Sequence, residues 1–180
     1  MNEKREKGLT DIELRLISEL IRNCHRSDRD LAKVLGISQP TVSRIRAKLE
    51  KEGIIKEYTI IPDFTKLGYS MLALTFVSLR EHSLEGIERA RMLAKEGAQQ
   101  NRFGSIMLER GMGLGYDGVI VSLYKSYADF AKHRNEVANL PFVDVSKIDT
   151  FIIDLLDEVR YRPLSFRHII KELTAQDKGQ

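Results

Sequence analysis

Cysteine is nearly absent from this sequence: Cys24 stands alone among 180 residues. An intramolecular disulfide and any cysteine-built zinc site are excluded, and a reducing compartment is the natural setting. With no base assembled near it, Cys24 reads as a small packing residue rather than a nucleophile. Long apolar runs are missing too. No stretch approaches the roughly 18 apolar residues that would span a bilayer, and the opening MNEKREKG carries charge with no apolar run behind it. The expectation is a soluble, cytoplasmic protein with no membrane partner. Charge of one sign is also scarce, since 29 basic and 26 acidic residues leave a formal net charge of +3. The whole is not a polycation. The imbalance is nevertheless local: residues 1–58 hold 13 Lys/Arg against 10 Asp/Glu, and residues 59–180 hold 16 of each. All of the excess therefore lies in the first third, where a phosphate-binding module would need it.

Chemistry-bearing clusters are equally thin. His25, His82, His133 and His168 lie in four separate segments with no pairing of metal ligands. Asp154, Asp157 and Glu158 read as a solvated strand end. The sequence offers no catalytic residues, no metal site and no cofactor site.

What is present is a two-helix pattern across Ser27–Tyr58. Ser27 can cap a first helix by accepting from the amide of Asp30, Leu31, Val34 and Leu35 recur at helical spacing, and Gly36 ends the run. Ser38 can cap a second helix, with Pro40 in its first turn and Val42, Ile45 and Leu49 as its buried stripe. The opposite face holds Pro40, Ser43, Arg44, Ala47 and Lys51, with Gln39 and Thr41 at the exposed N-terminal end. Short polar groups lead and cations follow. That order suits a helix whose N-terminal end enters the major groove of double-stranded DNA while long cations reach flanking phosphates. Ser38, Gln39, Pro40, Thr41, Ser43 and Arg44 are the candidates for bases or their flanking phosphates. Arg46, Lys48 and Lys51 would serve phosphates or local ion pairs.

An earlier helix is announced by Leu9, Thr10 and Glu13, a staple and capping box, followed by Ile12, Leu16, Ile17, Leu20 and Ile21. Beyond Gly53, the residues Ile54, Ile55, Tyr58, Ile60 and Ile61 give a strand-like wing ending at Pro62. Met71–Leu79 is apolar on both alternating faces, so it should be buried on both. A helix follows from Ser83 or Leu84 to Gly97 through Leu84, Ile87, Met92 and Leu93, then strands at Phe103–Glu109 and Gly118–Tyr124 around a glycine-rich loop. A helix at Ser126–Leu140 turns Tyr127, Phe130, Ala131, Val137 and Ala138 inward, and Val143–Asp154 returns as a strand. This is the split βαβ order of a ferredoxin-like domain, whose uncovered sheet face predicts a homodimer or a higher homo-oligomer. Phe166, Ile169, Ile170 and Leu173 predict a short helix after Pro163. The expected organisation is an α+β fold: a winged helix-turn-helix domain (1–60), a linker (61–68), a ferredoxin-like domain (69–155) and a C-terminal helical tail (156–180).

Gly113, Gly115 and Gly118 spell G-x-G-x-x-G, but the dinucleotide fingerprint needs a following helix, and Val119–Leu123 reads as a strand. The loop could instead offer backbone amides to a ligand carboxylate, with Asp117 taking its ammonium group; it could equally be a plain hairpin connection.

The stretches LTDIELRLISEL, DLAKVLGISQPTVSRIRAKLEKEGIIKEYTIIPD and GYDGVIVSL, with the order of elements around them, resemble the Lrp/AsnC family of feast/famine transcriptional regulators over residues 9–155. The resemblance implies a winged helix-turn-helix for operator DNA joined to an effector-binding domain that dimerises through its sheets. Many members form tetramers or octamers, and many bind an amino acid near the loop between the second and third strands. In this sequence Gly111, Gly113, Gly115, Tyr116 and Asp117 occupy that loop. Members commonly carry a glycine three residues before the loop aspartate, where this chain has Leu114. Two other readings remain open: an enzyme on the related scaffold, of the siroheme decarboxylase type, and a ligand sensor that acts through protein contacts without DNA.

Overall fold

The computed structural model describes residues 8–99, 105–159 and 163–175. Two compact units emerge, Met1–Ile61 together with Tyr161–Gln180, and Pro62–Arg160. Residues 156–180, read as a tail, thus divide between them.

The first unit contains α1 (Asp11–Arg22), α2 (Asp28–Leu35) and α3 (Gln39–Lys51). Leu16 and Leu20 of α1, Leu31, Ala32 and Leu35 of α2, and Val42, Ile45 and Leu49 of α3 form one buried cluster, with Leu9, Ile12, Ile37 and Ile55 packed against it. Each large aliphatic removed from water contributes about 1.5 to 3 kcal/mol, so this cluster holds the three helices together. Val34 stays half exposed, and Ala32 takes the inward place its spacing suggested. Ser27 accepts from the amide of Asp30 at 3.2 Å, and Gly36, at φ 71°, ends α2 in the left-handed conformation a glycine adopts cheaply. A short 3-10 turn (Phe166–Ile169) and α6 (Ile170–Ala175) complete the unit, with α6 lying on α1.

The strand expected over Ile54–Pro62 does not form. The amides of Ile54 and Ile55 turn back to the carbonyl of Leu49, at 2.9 and 3.2 Å, and residues 56–61 form no regular element and pair with no strand.

The second unit is an antiparallel sheet in the order β2-β3-β1-β4, from β1 (Met71–Leu79), β2 (Ser105–Gly113), β3 (Tyr116–Tyr124) and β4 (Val143–Asp154), with α4 (Leu84–Gln99) and α5 (Tyr127–Ala138). Ala73 and Val77 of β1, Ile120 and Tyr124 of β3 and Ile148 of β4 share the core face with Phe130 and Val137 of α5. Tyr127, expected inward, is exposed, and His133 is buried in its stead, hydrogen-bonded to the Tyr124 hydroxyl. Burial pushes the His133 imidazole below its usual pKa. Of the expected line in α4, Leu84, Met92 and Leu93 are exposed and Ile87 is half-buried, and among the described residues Gly86, Ala90 and Gly97 are the buried positions. Small residues let the helix backbone approach, and at Gly86 a side chain would strike that of Glu81 at 2.8 Å. Residues 103 and 104, the first two of the expected second strand, lie outside the described residues.

The other sheet face carries its own apolar ribbon. By register Leu72 lies between Leu123 and Ile153, Leu74 between Val121 and Phe151, and Phe76 between Val119 and Asp149. Phe151 is 64% exposed, so this face is not part of the unit's own core. No helix among the described residues is long and apolar enough to cross a membrane.

The glycine-rich loop proves to be mostly strand. β2 runs to Gly113, which pairs with Tyr116, leaving a two-residue turn at Leu114–Gly115 with both φ angles positive, 54° and 82°. A left-handed leucine costs about 1 to 2 kcal/mol, and Leu114, 88% exposed, makes no burial that offsets it. Replacing Leu114 by Asn, which tolerates this conformation, is expected to stabilise the sheet unit by about 0.5 to 1 kcal/mol in denaturant unfolding; an unchanged or lower midpoint would contradict the strain.

Candidate nucleic-acid interface

The second helix of the helix-turn-helix, α3, starts on Ser38, whose hydroxyl accepts from the Thr41 amide at 3.4 Å and lies 2.8 Å from Thr41 Oγ1. Val42, Ile45 and Leu49 anchor one face, leaving Gln39, Pro40, Ser43, Arg44, Ala47 and Lys51 exposed on the other.

The nine candidate DNA-binding residues separate into three groups. Gln39, Pro40, Arg44 and Lys51 are exposed, and among the described residues neither Arg44 nor Lys51 holds an ion pair. Thr41, half-buried, closes the first turn with Ser38. The remaining three are engaged within the protein. Ser43 donates to Asp28 Oδ2 at 2.5 Å and to the Gln39 carbonyl at 3.2 Å. Arg46 pairs through Nη2 with Asp28 Oδ1 at 2.7 Å, donates to the Tyr58 hydroxyl at 3.4 Å and lies over the Tyr58 ring, 5.6 Å from its centroid. Tyr58 in turn donates to Glu50 Oε1 at 2.7 Å. Lys48 reaches back to α1, with Nζ 2.6 Å from Glu13 Oε1.

Arg46 and Lys48 are therefore struts of α3. Asp28 joins α2 to α3 through two side chains, while Tyr58 brings the extended segment after Gly53 against the same helix. Sequence reasoning missed Asp28, because an acid just after an N-cap looks like an ordinary first-turn residue. The one visible signal was the arginine and serine of α3 on a common edge.

Glu13 is almost fully buried at the head of α1. Its Oε2 accepts from the Thr10 amide at 2.8 Å and the Thr10 hydroxyl at 2.9 Å, and its Oε1 from Lys48. The bond from Lys48 and then those from Thr10 outweigh the cost of burial and lower its pKa from 4.5 to about 2.

The other candidate residues sit on the β2–β3 hairpin. Gly111 and Gly113 lie on β2, Gly115 is in the turn, and Tyr116 and Asp117 open β3. The Tyr116 ring packs on Phe76, centroids 5.7 Å apart, and its hydroxyl donates to Asp149. Asp117 Oδ2 accepts from the Leu79 amide at 2.7 Å and the Ser78 hydroxyl at 3.0 Å, and lies 3.0 Å from His82 Nε2. Burial opposes ionisation of Asp117, but the Leu79 amide, Ser78 and His82 together hold its carboxyl below the usual range. The hairpin thus brings Asp117 together with His82 and Ser78, which the sequence reading left apart. Among the described residues no group of three or more His, Cys, Asp or Glu could hold a metal ion.

Comparison with known proteins agrees with this geometry. A family model described as winged helix-turn-helix DNA-binding matches residues 9–56. An uncharacterised HTH-type transcriptional regulator of Pyrococcus abyssi is 39% identical over 74 residues, which is 41% of this chain and 49% of that protein. The HTH-type transcriptional regulator LrpA of the same organism is 36% identical over 84 residues, 47% of this chain and 55% of its own. These matches span about half the length of the curated relatives. The crystal structure of PH0061 superposes with a TM-score of 0.71 at 25% identity, over 88% of this chain and 99% of that one.

A carboxyl with a depressed folded pKa stabilises the fold above its unfolded value, so the contribution of Glu13 is complete above about pH 4.5 and is lost as pH falls toward 2. Acid titration of thermal stability is expected to show a loss in that window, and the loss is expected to shrink in Lys48→Gln. An identical profile for the two proteins would contradict the role of the pair.

Proposed function

We propose that this chain is a member of the Lrp/AsnC family, a sequence-specific regulator that binds double-stranded DNA in the cytoplasm through α3 as a homodimer or higher homo-oligomer. The observation that carries the reading is the division of labour on α3. Arg46 and Lys48 are held from behind by Asp28, Tyr58 and Glu13, while Gln39, Pro40, Thr41 and Arg44 stand at the capped, exposed end and Lys51 further along. A helix fixed in this way can present short polar groups to base edges at little further entropic cost. A hydroxyl already hydrogen-bonded to Asp28 leaves Ser43 a smaller share in base contact than Arg44.

Dimerisation is supported by the ribbon of Leu72, Leu74 and Phe76 with its neighbours Val121, Leu123, Phe151 and Ile153. An apolar face of this extent favours a second copy of itself, and two copies would set two recognition helices at a fixed spacing for paired half-sites. Regulation by a small effector such as an amino acid remains part of the proposal. Gly111, Gly113, Gly115, Tyr116 and Asp117 are its candidate contacts. Because Asp117 Oδ2 already has three partners, an effector ammonium group would have to share that carboxylate with His82.

Arg44→Ala is expected to weaken binding to a selected duplex by about 1 to 3 kcal/mol while changing random-duplex binding much less. Gel-shift titration of both duplexes measures this, and an equal loss on each sinks base reading by Arg44. Val121→Glu is expected to turn the dimer into a monomer in light scattering and to weaken duplex binding with it; a dimer that survives the change places the interface elsewhere.

A further inference from the structure

The unit that carries α3 is built from both ends of the chain. Met1–Ile61 combines with Tyr161–Gln180, and Pro62–Arg160 forms the sheet unit in between. The last helix thus returns to the first. Ile170 of α6 is 5% exposed, and Arg167 donates from Nη2 to the carbonyl of Arg22, the final residue of α1, at 3.4 Å. A guanidinium in that place meets carbonyls the helix leaves unpaired and the negative end of its dipole. The rest of the attachment is slight. Leu164, Phe166 and Ile169 remain exposed, and with Ile17, Leu20 and Ile61 they line a groove of about 830 Å³ in place of a packed seam.

Among the described residues, the buried Ile170, the half-buried Leu173 and one long hydrogen bond make a contact that can open while the core of Leu16, Leu31, Val42 and Leu49 stays intact. The helix it touches is also the one that carries Glu13, and Glu13 holds Lys48 of the recognition helix. At its other end the same segment continues from β4, which finishes at Asp154.

We propose that residues 163–175 form a release strap: docked on α1 it steadies the Glu13–Lys48 support of α3, and undocked it loosens the grip of α3 on DNA. This rests on the DNA-binding reading of α3 and adds a two-state element through which that reading can be regulated. It requires that docking, and not merely folding, set affinity.

The test uses the full chain, with Ile170→Asp and the milder Ile170→Ala to release the strap and Ile170→Val as control. Hydrogen exchange of the α1 amides is measured alongside binding to a duplex selected by the wild-type chain from a random pool. At a temperature where circular dichroism matches the wild type, release is expected to speed exchange at residues 16–22 by about tenfold and to weaken duplex binding by a similar factor, with Ile170→Val within about twofold. Faster exchange with unchanged duplex affinity would reduce the segment to a passive cover and overturn the proposal. Unchanged exchange in both releasing variants would overturn it as well. A wild-type chain that selects no duplex overturns the DNA-binding reading instead, so the two failures appear in different proteins.

Discussion

The position of α3 depends on a carboxylate taken out of water. Glu13 loses hydration at the head of α1, and that cost is offset because each oxygen has a donor: Thr10 on one side and Lys48 on the other. An ion pair of this kind ranks below the surrounding leucines as a source of stability, since desolvation consumes much of its attraction. Its importance is directional. Hydrophobic contacts among Leu16, Val42 and Leu49 keep α3 close to α1 but tolerate small rotations, whereas a lysine reaching a buried oxygen at 2.6 Å admits few. Asp28 does the same from α2, through Ser43 and Arg46. The two carboxylates hold opposite flanks of one helix, and the residues left over face outward.

Local rules made much of this legible in advance. The caps at Ser27 and Ser38, the glycine stop at Gly36 and the stripe Val42, Ile45, Leu49 follow from interactions within four residues of each other, and the structure bears them out. Long-range partners were not legible. Nothing near Lys48 in sequence points to Glu13, 35 positions earlier, as its partner, so the two roles open to it, a phosphate contact or a local ion pair, could not be separated there. The same holds for Arg46 and Asp28.

The sheet unit shows a second kind of limit. Strand patterning located β1, β3 and β4 and marked both faces of β1 as apolar, because a strand buried on both sides has a composition of its own. Helical periodicity misled in α4, where size decided burial: Gly86, Ala90 and Gly97 go inward because they let the backbone come close, and Leu84 and Met92 stay out. A scale that equates apolar with inward assigns such a helix backward. The glycine-rich stretch before Asp117 was read as a loop for a related reason, since glycine counts as a breaker until a partner strand is available to pair with it.

The two-ended composition of the first unit bears on the order in which the protein can be made. Arg167 and Arg22 meet across a separation of 145 residues, while the whole of the sheet unit lies between them. During synthesis α1, α2 and α3 emerge first and can gather their own core, but the cap on α1 and the burial of Ile170 must wait until the final helix has left the ribosome. Closing that loop would be slow for an open coil, and a sheet unit already folded shortens the distance the chain must search. The helix-turn-helix is then translated before the sheet unit and completed after it.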